Sequence, residues 1–448
     1  MNRSKSLAIL HYPGLAMHKE NLTPTITQTV TTLHSQQHST YRSAHISTNK
    51  TKTLIATLFL LSLAGCNNSQ EPPKQEISPT NCDVYGVPGC HYLHRAPEED
   101  EIKSYVISPI KINLSTSNKN IAAYTSDAPL IFLNEVAVGP TGDMYAVGGT
   151  GLAILRFSKN STEWQINEFS GWGDSLRGVA FTEDGTGFAV GSSARAFQTT
   201  DNGSNWQLYN PGFNKYDDPH LKSLEYTFAR SAFAVDFFDI HNGLMVGEEF
   251  ILSTHNGGKD WHRVNIKIDG VALQKLSIVD KNTAWAVGSN GTILVTADKG
   301  ITWKHVKLIE AEDVPHLMGV SFTSTSSGCI GGEHRVWCTS NAGDSWAQAE
   351  IQPVPYGSVI TNLKMQDDNN GWFINRAGSI YKTENGGKKW TLWLRLHEVV
   401  DKKYTNAEFW GLALDANSVW AVGMVIPKGG NPNVVNPMNP LIIKWDAN

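Results

Sequence analysis

The chain has 448 residues, of which 40% are hydrophobic and 18% are charged, and its formal net charge is -5. This composition is that of a folded globular protein rather than an intrinsically disordered chain. The acidic balance and the lack of any run of five Lys or Arg residues argue against nucleic acid as a partner.

An apolar run, Thr53–Ala64, follows two lysines near the N-terminus. It is too short to cross about 30 Å of hydrocarbon as a helix, but it has the length of a signal-peptide core. The run ends in the letters LAGC, which resemble the bacterial lipoprotein box. The resemblance implies a signal peptide over 50–65 and lipidation of Cys66. The alternative is a buried core helix with a chance Cys.

The segments around the signal peptide carry further expectations. Signal peptides begin with a short charged region, so we expect residues 1–49 to be a non-native or disordered extension. Residues 66–103 are polar and contain Pro, which predicts a lipidated tether. Asn67 rather than Asp follows the Cys, and in Gram-negative lipoproteins this implies the periplasmic side of the outer membrane. The sequence thus predicts an exported protein whose membrane partner is reached through a lipid anchor.

The remaining cysteines form two closely spaced pairs, Cys82 with Cys90 and Cys329 with Cys338. Such pairs favour disulfides in an exported chain. Cys329 and Cys338 flank a predicted hairpin tip, so they would face each other across antiparallel strands. Free buried thiols are the alternative. Cys90 has two His residues nearby, but no second ligand pair has zinc spacing, so we predict no metal site.

An octapeptide recurs five times between residues 199 and 390. Each copy places Thr seven residues before a Trp, Asp or Asn five before it, and Gly three before it, as in TADKGITW. Asp and Asn bond the backbone of their own turn, and Gly adopts angles that other residues resist, which predicts a structural role. Asn cannot act as a general acid or base. The assigned residues are Thr199, Asp201, Gly203, Trp206; Asn256, Gly258, Trp261; Asp298, Gly300, Trp303; Asn341, Gly343, Trp346; and Asn385, Gly387, Trp390.

Short strands that end in Val-Gly or a related pair recur in register with the octapeptide. Each unit reads as four short strands in about 40 to 45 residues, which is the period of a β-propeller blade. We predict an all-β fold over 104–448, with seven four-stranded antiparallel blades in 129–448. The last unit has only three strands. We therefore expect 104–114 to supply its missing outer strand and to join the first and last blades, because a closed ring leaves no exposed edges.

The octapeptide resembles the Asp-box, or bacterial neuraminidase repeat, and the whole unit is similar to the photosystem II stability and assembly factor family. That resemblance covers residues 129–448 and implies a seven-bladed propeller that binds another protein. Sialidases and several glycosidases share the Asp-box, so it indicates the fold more strongly than the function.

Two long insertions, 209–230 and 425–440, fall on the face that carries the blade-to-blade connections. Loops on a rigid scaffold often carry binding sites. Four arginines lie on or near the same face, and they could form a basic surface for a carboxylate-bearing protein partner. Scattered solvated side chains are the alternative. The candidate partner-binding residues are Arg195, Arg230, Arg335 and Arg376.

No common catalytic motif supports an enzyme. The chain lacks Gly-x-Ser-x-Gly, a P-loop, a zinc motif and the Arg-Ile-Pro of sialidases. Asp217, Asp218 and Glu225 are acids in the first insertion, but nothing in their spacing selects a glycosidase pair. We predict a non-enzymatic protein-binding scaffold with no catalytic residues and no cofactor. The alternative is a carbohydrate-binding or glycoside-hydrolysing propeller.

Overall fold

The structure is a computed structural model. It describes residues 103–114, 120–126, 132–149, 151–158, 163–169, 174–209, 230–308, 315–355, 357–428 and 438–447. All of these belong to one compact unit, Thr80–Asn448. The predicted signal peptide, Cys66, the Cys82–Cys90 loop and most of both insertions lie outside the described residues.

The described residues are almost entirely β-structure, with one short helix, α1 (Leu396–Val399). In chain order the strands are β1 Lys103–Ile107, β2 Ile110–Ile112, β3 Ile121–Thr125, β4 Leu133–Val138, β5 Met144–Gly148, β6 Ala153–Phe157, β7 Trp164–Glu168, β8 Leu176–Phe181, β9 Gly187–Gly191, β10 Ala196–Thr199, β11 Gln207–Tyr209, β12 Ala232–Phe237, β13 Gly243–Gly247, β14 Phe250–Thr254, β15 His262–Arg263, β16 Leu273–Ile278, β17 Ala284–Gly288, β18 Ile293–Thr296, β19 Lys304–Val306, β20 Leu317–Phe322, β21 Gly328–Gly332, β22 Arg335–Thr339, β23 Ala347–Gln348, β24 Glu350–Gln352, β25 Ile360–Met365, β26 Gly371–Asn375, β27 Ser379–Thr383, β28 Lys389–Arg395, β29 Tyr404–Leu414, β30 Ser418–Pro427 and β31 Asn439–Asp446.

The strands form seven sheets, and each sheet is one blade of a propeller. The first six blades are β4–β7, β8–β11, β12–β15, β16–β19, β20–β23 and β25–β28, each running antiparallel from the axis outward. The inner strand of each blade contacts the inner strands on both sides, and β29 of the last blade contacts β4 of the first. The predicted seven-bladed all-β fold is confirmed.

The second strand of each blade is the most buried. Every residue of β5, β9, β13, β17, β21 and β26 is buried. Both faces of a blade pack against neighbouring blades, so these strands are continuous apolar runs instead of alternating patterns. This is why Ala-Val-Gly and its variants mark each blade in the sequence.

The ring closes with N-terminal strands, as expected, but the strand that completes the last blade differs from the prediction. Its inner three strands are β29, β30 and β31, and the fourth is β3, which pairs antiparallel with β31. The predicted segment 104–114 lies further out, with β1 as a fifth strand on β7 and β2 as a fifth strand on β3. β3 follows the predicted segment in the chain and lies between β2 and the ring.

The Asp-boxes share one hydrogen-bond pattern. In each, the Thr hydroxyl donates to the Asp or Asn Oδ1 over 2.7 to 3.1 Å and accepts the Gly N–H over 2.9 to 3.1 Å. The same Oδ1 accepts the backbone N–H of the residue four positions later over 2.8 to 3.0 Å. A carbonyl-type oxygen is enough for these bonds, so both Asp and Asn serve.

In the second, third and fourth blades, the Asp or Asn of the box matches the hydrogen-bonding side chain four residues later. Asp201 accepts a hydrogen bond from the Asn205 amide (2.6 Å), and Asp298 accepts one from the Thr302 hydroxyl (2.5 Å). In the third blade the order is reversed, because the Asn256 amide donates to the carboxylate of Asp260 over 2.9 Å. A carboxylate cannot donate, so an acid at the later position requires an amide in the box.

The box glycine of each blade packs against the preceding blade. Gly343 has φ of +80°, and a Cβ there would lie 2.9 Å from the Trp285 ring. Gly387 has φ of +78°, and its Cβ would lie 2.4 Å from the Sγ of Cys338. Cys329 and Cys338 are paired across β21 and β22 and form a disulfide. In the fifth blade this disulfide therefore takes the place that a Trp ring takes in the fourth.

Candidate functional site

The two ends of the propeller carry different loops. At one end, which we call the link face, lie the turns between second and third strands and the connections between blades. Backbone hydrogen bonds join them: Ser192 N–H donates to Ser175 O, and Glu248 N–H donates to Ser231 O, both over 3.0 Å. The Asp-boxes lie at the opposite end, the box face. Both predicted insertions connect strands at the link face.

Two of the predicted arginines are paired and largely buried. The Nε of Arg195 lies 3.6 Å from Asp174 Oδ2, and the Nη2 of Arg335 lies 3.0 Å from Glu333 Oε2. Arg335 also lies over the Trp337 ring, 5.2 Å from its centroid. The exposed fractions of the two arginine side chains are 18% and 19%. Their guanidinium groups are therefore committed to contacts within the protein.

Arg230 holds the turn between β13 and β14. Its Nη1 donates to the backbone carbonyls of Glu248 and Glu249, both over 3.2 Å. Its Nη2 lies 2.8 Å from the carboxylate of Glu249. Carbonyls in a tight turn lack ladder partners, and Arg230 satisfies two of them.

Arg376 differs from the other three because 57% of its side chain is exposed. Its Nε lies 3.2 Å from Glu408 Oε2, and its guanidinium lies 5.1 Å from the centroid of the Trp410 ring. All four predicted arginines thus have a carboxylate partner, so they do not form a surface of uncompensated positive charge. Arg376 is the member of the set that remains accessible to a partner.

Another arginine–aromatic pair, which the sequence patterns did not predict, lies at the link face. Arg177 and Phe233 occupy the second positions of β8 and β12, beside the propeller axis. Arg177 is exposed as a residue, although burial lowers the pKa of its guanidinium, which lies 5.3 Å from the centroid of the Phe233 ring. Arg177 interrupts an otherwise apolar inner strand, LRGVAF, and that interruption is the signal that could have identified it.

Further from the link face, charged residues of different blades contact one another across the propeller axis. Glu135 of β4 forms a salt bridge with Lys275 of β16, which comes from the fourth blade. The amide of Asn362, in the sixth blade, donates to both Glu135 oxygens over 3.3 and 3.2 Å. The exposed fractions of the Lys275 and Glu135 side chains are only 14% and 15%. Three blades are thereby connected across the axis.

Two further observations concern the described part of the chain. No helix there is long and apolar enough to span a membrane. Within the same residues, no three His, Cys, Asp or Glu side chains are grouped so that they could hold a metal ion.

Comparison with known proteins begins with two curated relatives. The chain is 31% identical over 137 residues to the photosystem II stability/assembly factor HCF136 of Oryza sativa subsp. japonica, covering 29% of this chain and 33% of that protein. It is 31% identical over 135 residues to the photosystem II assembly lipoprotein Ycf48 of Prochlorococcus marinus, covering 29% and 38%. The aligned region thus spans only about a third of the relatives' length.

Solved structures show the same fold at low identity. A structure of YCF48 bound to a D1 peptide aligns with a TM-score of 0.54 and 15% identity, covering 75% of this chain and 97% of that one. A virginiamycin B lyase from Staphylococcus aureus aligns with a TM-score of 0.51 and 12% identity, covering 76% and 99%. Both are similar in architecture, and one of them is an enzyme.

The family comparison is broader than these pairwise alignments. The family model for the photosynthesis system II assembly factor YCF48 matches residues 156–270 and 260–400. These matches cover six of the seven blades in full or in part and more than half of the chain. The chain is therefore a member of the photosystem II assembly factor YCF48 family.

Proposed function

We propose that this protein is a non-enzymatic scaffold that binds another protein through the link face and acts as an assembly or stability factor. Family membership supports this role, and a related propeller has been solved with a bound D1 peptide. The observation that carries the proposal is that two of the arginine–aromatic pairs at this face, Arg376 with Trp410 and Arg177 with Phe233, have an exposed arginine.

Arginine and aromatic residues are the side chains most enriched at binding hot spots. An Arg stacked on a ring is held in one orientation, so it loses little side-chain entropy when a carboxylate or carbonyl binds it. Arg376 is also only partly neutralised, because Glu408 contacts it from one side and more than half of the side chain is exposed. Arg195, Arg230 and Arg335 support the turns around this surface in our proposal.

The proposal extends to the location of the protein. We infer that Cys66 is lipidated and that the propeller is held outside the cytoplasm, on the periplasmic side of the outer membrane. A relative described as an assembly lipoprotein supports the anchor. Metabolic labelling with an alkyne fatty acid tests this, because wild type should be labelled and a Cys66→Ser variant should not.

The docking surface is tested by purification of the full-length, C-terminally tagged protein from membranes. The test variant is Arg177→Glu/Arg376→Glu, and the matched control is Lys281→Glu/Lys304→Glu, two exposed lysines of the fourth blade away from the link face. Both variants change the net charge equally. We expect the test variant to lose the co-purifying proteins and the control to keep them. Equal recovery with both variants, at unchanged melting temperature, contradicts the proposal.

The carbohydrate alternative depends on the insertion 209–230, most of which lies outside the described residues. The contacts of the described residues offer no feature that favours it. It therefore stays a sequence-based hypothesis.

A further inference from the structure

The axial cavity is a feature that a protein-docking role does not require. It has a volume of about 330 Å³ and is lined by the inner strands of all seven blades. The lining begins at the level of Glu135 and continues to Val138, Phe181 and Leu414, at the ends of their strands nearest the box face. Small residues such as Gly178 and Ala234 leave the space open.

The link-face end of this cavity is closed by the bridge between Glu135, Lys275 and Asn362 described above. These three residues satisfy one another, since Lys275 contacts one Glu135 oxygen and the Asn362 amide donates to both. They leave the cavity with a polar end wall of no net charge.

A second pair of opposite charges lies further along the same cavity, and these two side chains form no salt bridge with each other. Asp236 of β12 and Lys364 of β25 both line it, from the third and sixth blades on opposite sides of the axis. Asp236 accepts the backbone N–H of Phe237 over 2.9 Å and also the backbone N–H of Ile278. The Lys364 ammonium makes no hydrogen bond or ion pair with any residue that the structure describes, and it acts on Asp236 only through its field.

Burial raises the pKa of Asp236, and the field of Lys364 lowers it only in part. An ammonium and a carboxylate that face each other without contact in a confined space are incompletely compensated. A ligand that brings a charge of the opposite sign to each of them would remove both deficits.

We propose that the axial cavity binds a small zwitterion, with the ligand's carboxylate at Lys364 and its ammonium at Asp236. The charges favour this class over simple ions. With Asp236 ionised, Glu135 and Asp236 balance Lys275 and Lys364, so the cavity then has no net charge with which to attract a free anion or cation. The volume suits a molecule of amino-acid size.

The half-buried apolar residues Val138, Phe181 and Leu414 line the cavity toward the box face. They provide an apolar surface for the aliphatic part of such a ligand. This site lies at the opposite end of the axis from the proposed docking surface, so a result that refutes one proposal does not refute the other.

Thermal melting of the purified full-length protein tests the inference with defined probes. Glycine, β-alanine, 4-aminobutyrate and 6-aminohexanoate present the same two charges at increasing separation. Acetate and methylammonium present one charge each. At about 10 mM we expect one zwitterion to raise Tm by about 2 °C or more, because a ligand that binds only the folded state stabilises it. The single-charge probes, alone or together, should not.

The variants Asp236→Asn and Lys364→Met should each abolish the shift, while Lys267→Met, at an exposed lysine on a loop, should retain it. Asn at 236 keeps the acceptor for Phe237 N–H, so the fold is expected to survive. If either cavity variant does not fold, probe selectivity in wild type decides the question by isothermal calorimetry. No binding by any zwitterion, equal binding by acetate, or an undiminished shift in a folded cavity variant overturns the inference.

Discussion

Replacing Asn256 with Asp should destabilise the third blade, although two other boxes carry Asp at the same position. In the native box the Asn256 amide donates to Asp260 over 2.9 Å. The substitution removes that charge-assisted hydrogen bond and brings two carboxylates together. The bond is worth about 1.5 to 3 kcal/mol and the repulsion about 1 kcal/mol in water. Because the site is exposed, we expect a total loss of about 1 to 2 kcal/mol at pH 7.

The loss should depend on pH in a defined direction. Two adjacent carboxylates raise each other's pKa, so the folded variant holds a proton more tightly than the unfolded chain. The destabilisation is therefore complete at pH 7 and diminishes as the pH falls through about 5 to 4. Urea unfolding of wild type and variant at pH 7 and pH 4 measures the difference.

The double variant Asn256→Asp/Asp260→Asn is the matched control. It reproduces the order found in the second blade, where Asp201 accepts from Asn205. We expect it to recover most of the lost stability at pH 7. Equal stability of the single variant and wild type, or no recovery in the double variant, would refute the hydrogen-bond explanation for Asn in the box of the third blade.

Two more predictions concern packing and the axis. Gly387→Ala should cost at least about 1 kcal/mol more than Gly270→Ala in urea unfolding, because both glycines have positive φ but only a Cβ at 387 would clash, 2.4 Å from Cys338 Sγ. Similar losses of stability in the two variants would show that backbone strain at positive φ, and not the clash with Cys338, causes the destabilisation. Glu135→Gln or Lys275→Met should each cost about 2 to 4 kcal/mol because each leaves a charge largely buried and unpaired, and the double variant should cost less than their sum in a double-mutant cycle. Additive losses would mean that the bridge carries no coupling.

Much of the architecture could be predicted from the sequence because it depends on local interactions. The boxes that end at Trp206 through Trp390 are built from hydrogen bonds between residues two and four positions apart. Their pattern can therefore be recognised in the sequence. The Ala-Val-Gly strands are buried on both faces, and burial on both faces requires apolar residues at successive positions. Counting these signals predicted seven blades.

The closing strand and the site depended on contacts between distant residues. β3 and β31 pair Ile121 with Trp445, and no local signal distinguishes β3 from the flanking strands β1 and β2. Arg376 was predicted by position, but its partner Glu408 lies 32 residues further along the chain. A basic patch in the sequence therefore became a set of ion pairs in the fold.

The sequence by itself determined the repeat, the fold class and the turn chemistry, because each of these arises within one blade. Only the tertiary structure decided what faces the axis. Glu135 and Lys275 are 140 residues apart, and Asp236 and Lys364 come from the third and sixth blades. These charges meet because closing the ring brings the inner strands of all blades to the same axis. The sequence of one strand does not indicate which residues lie opposite it across that axis.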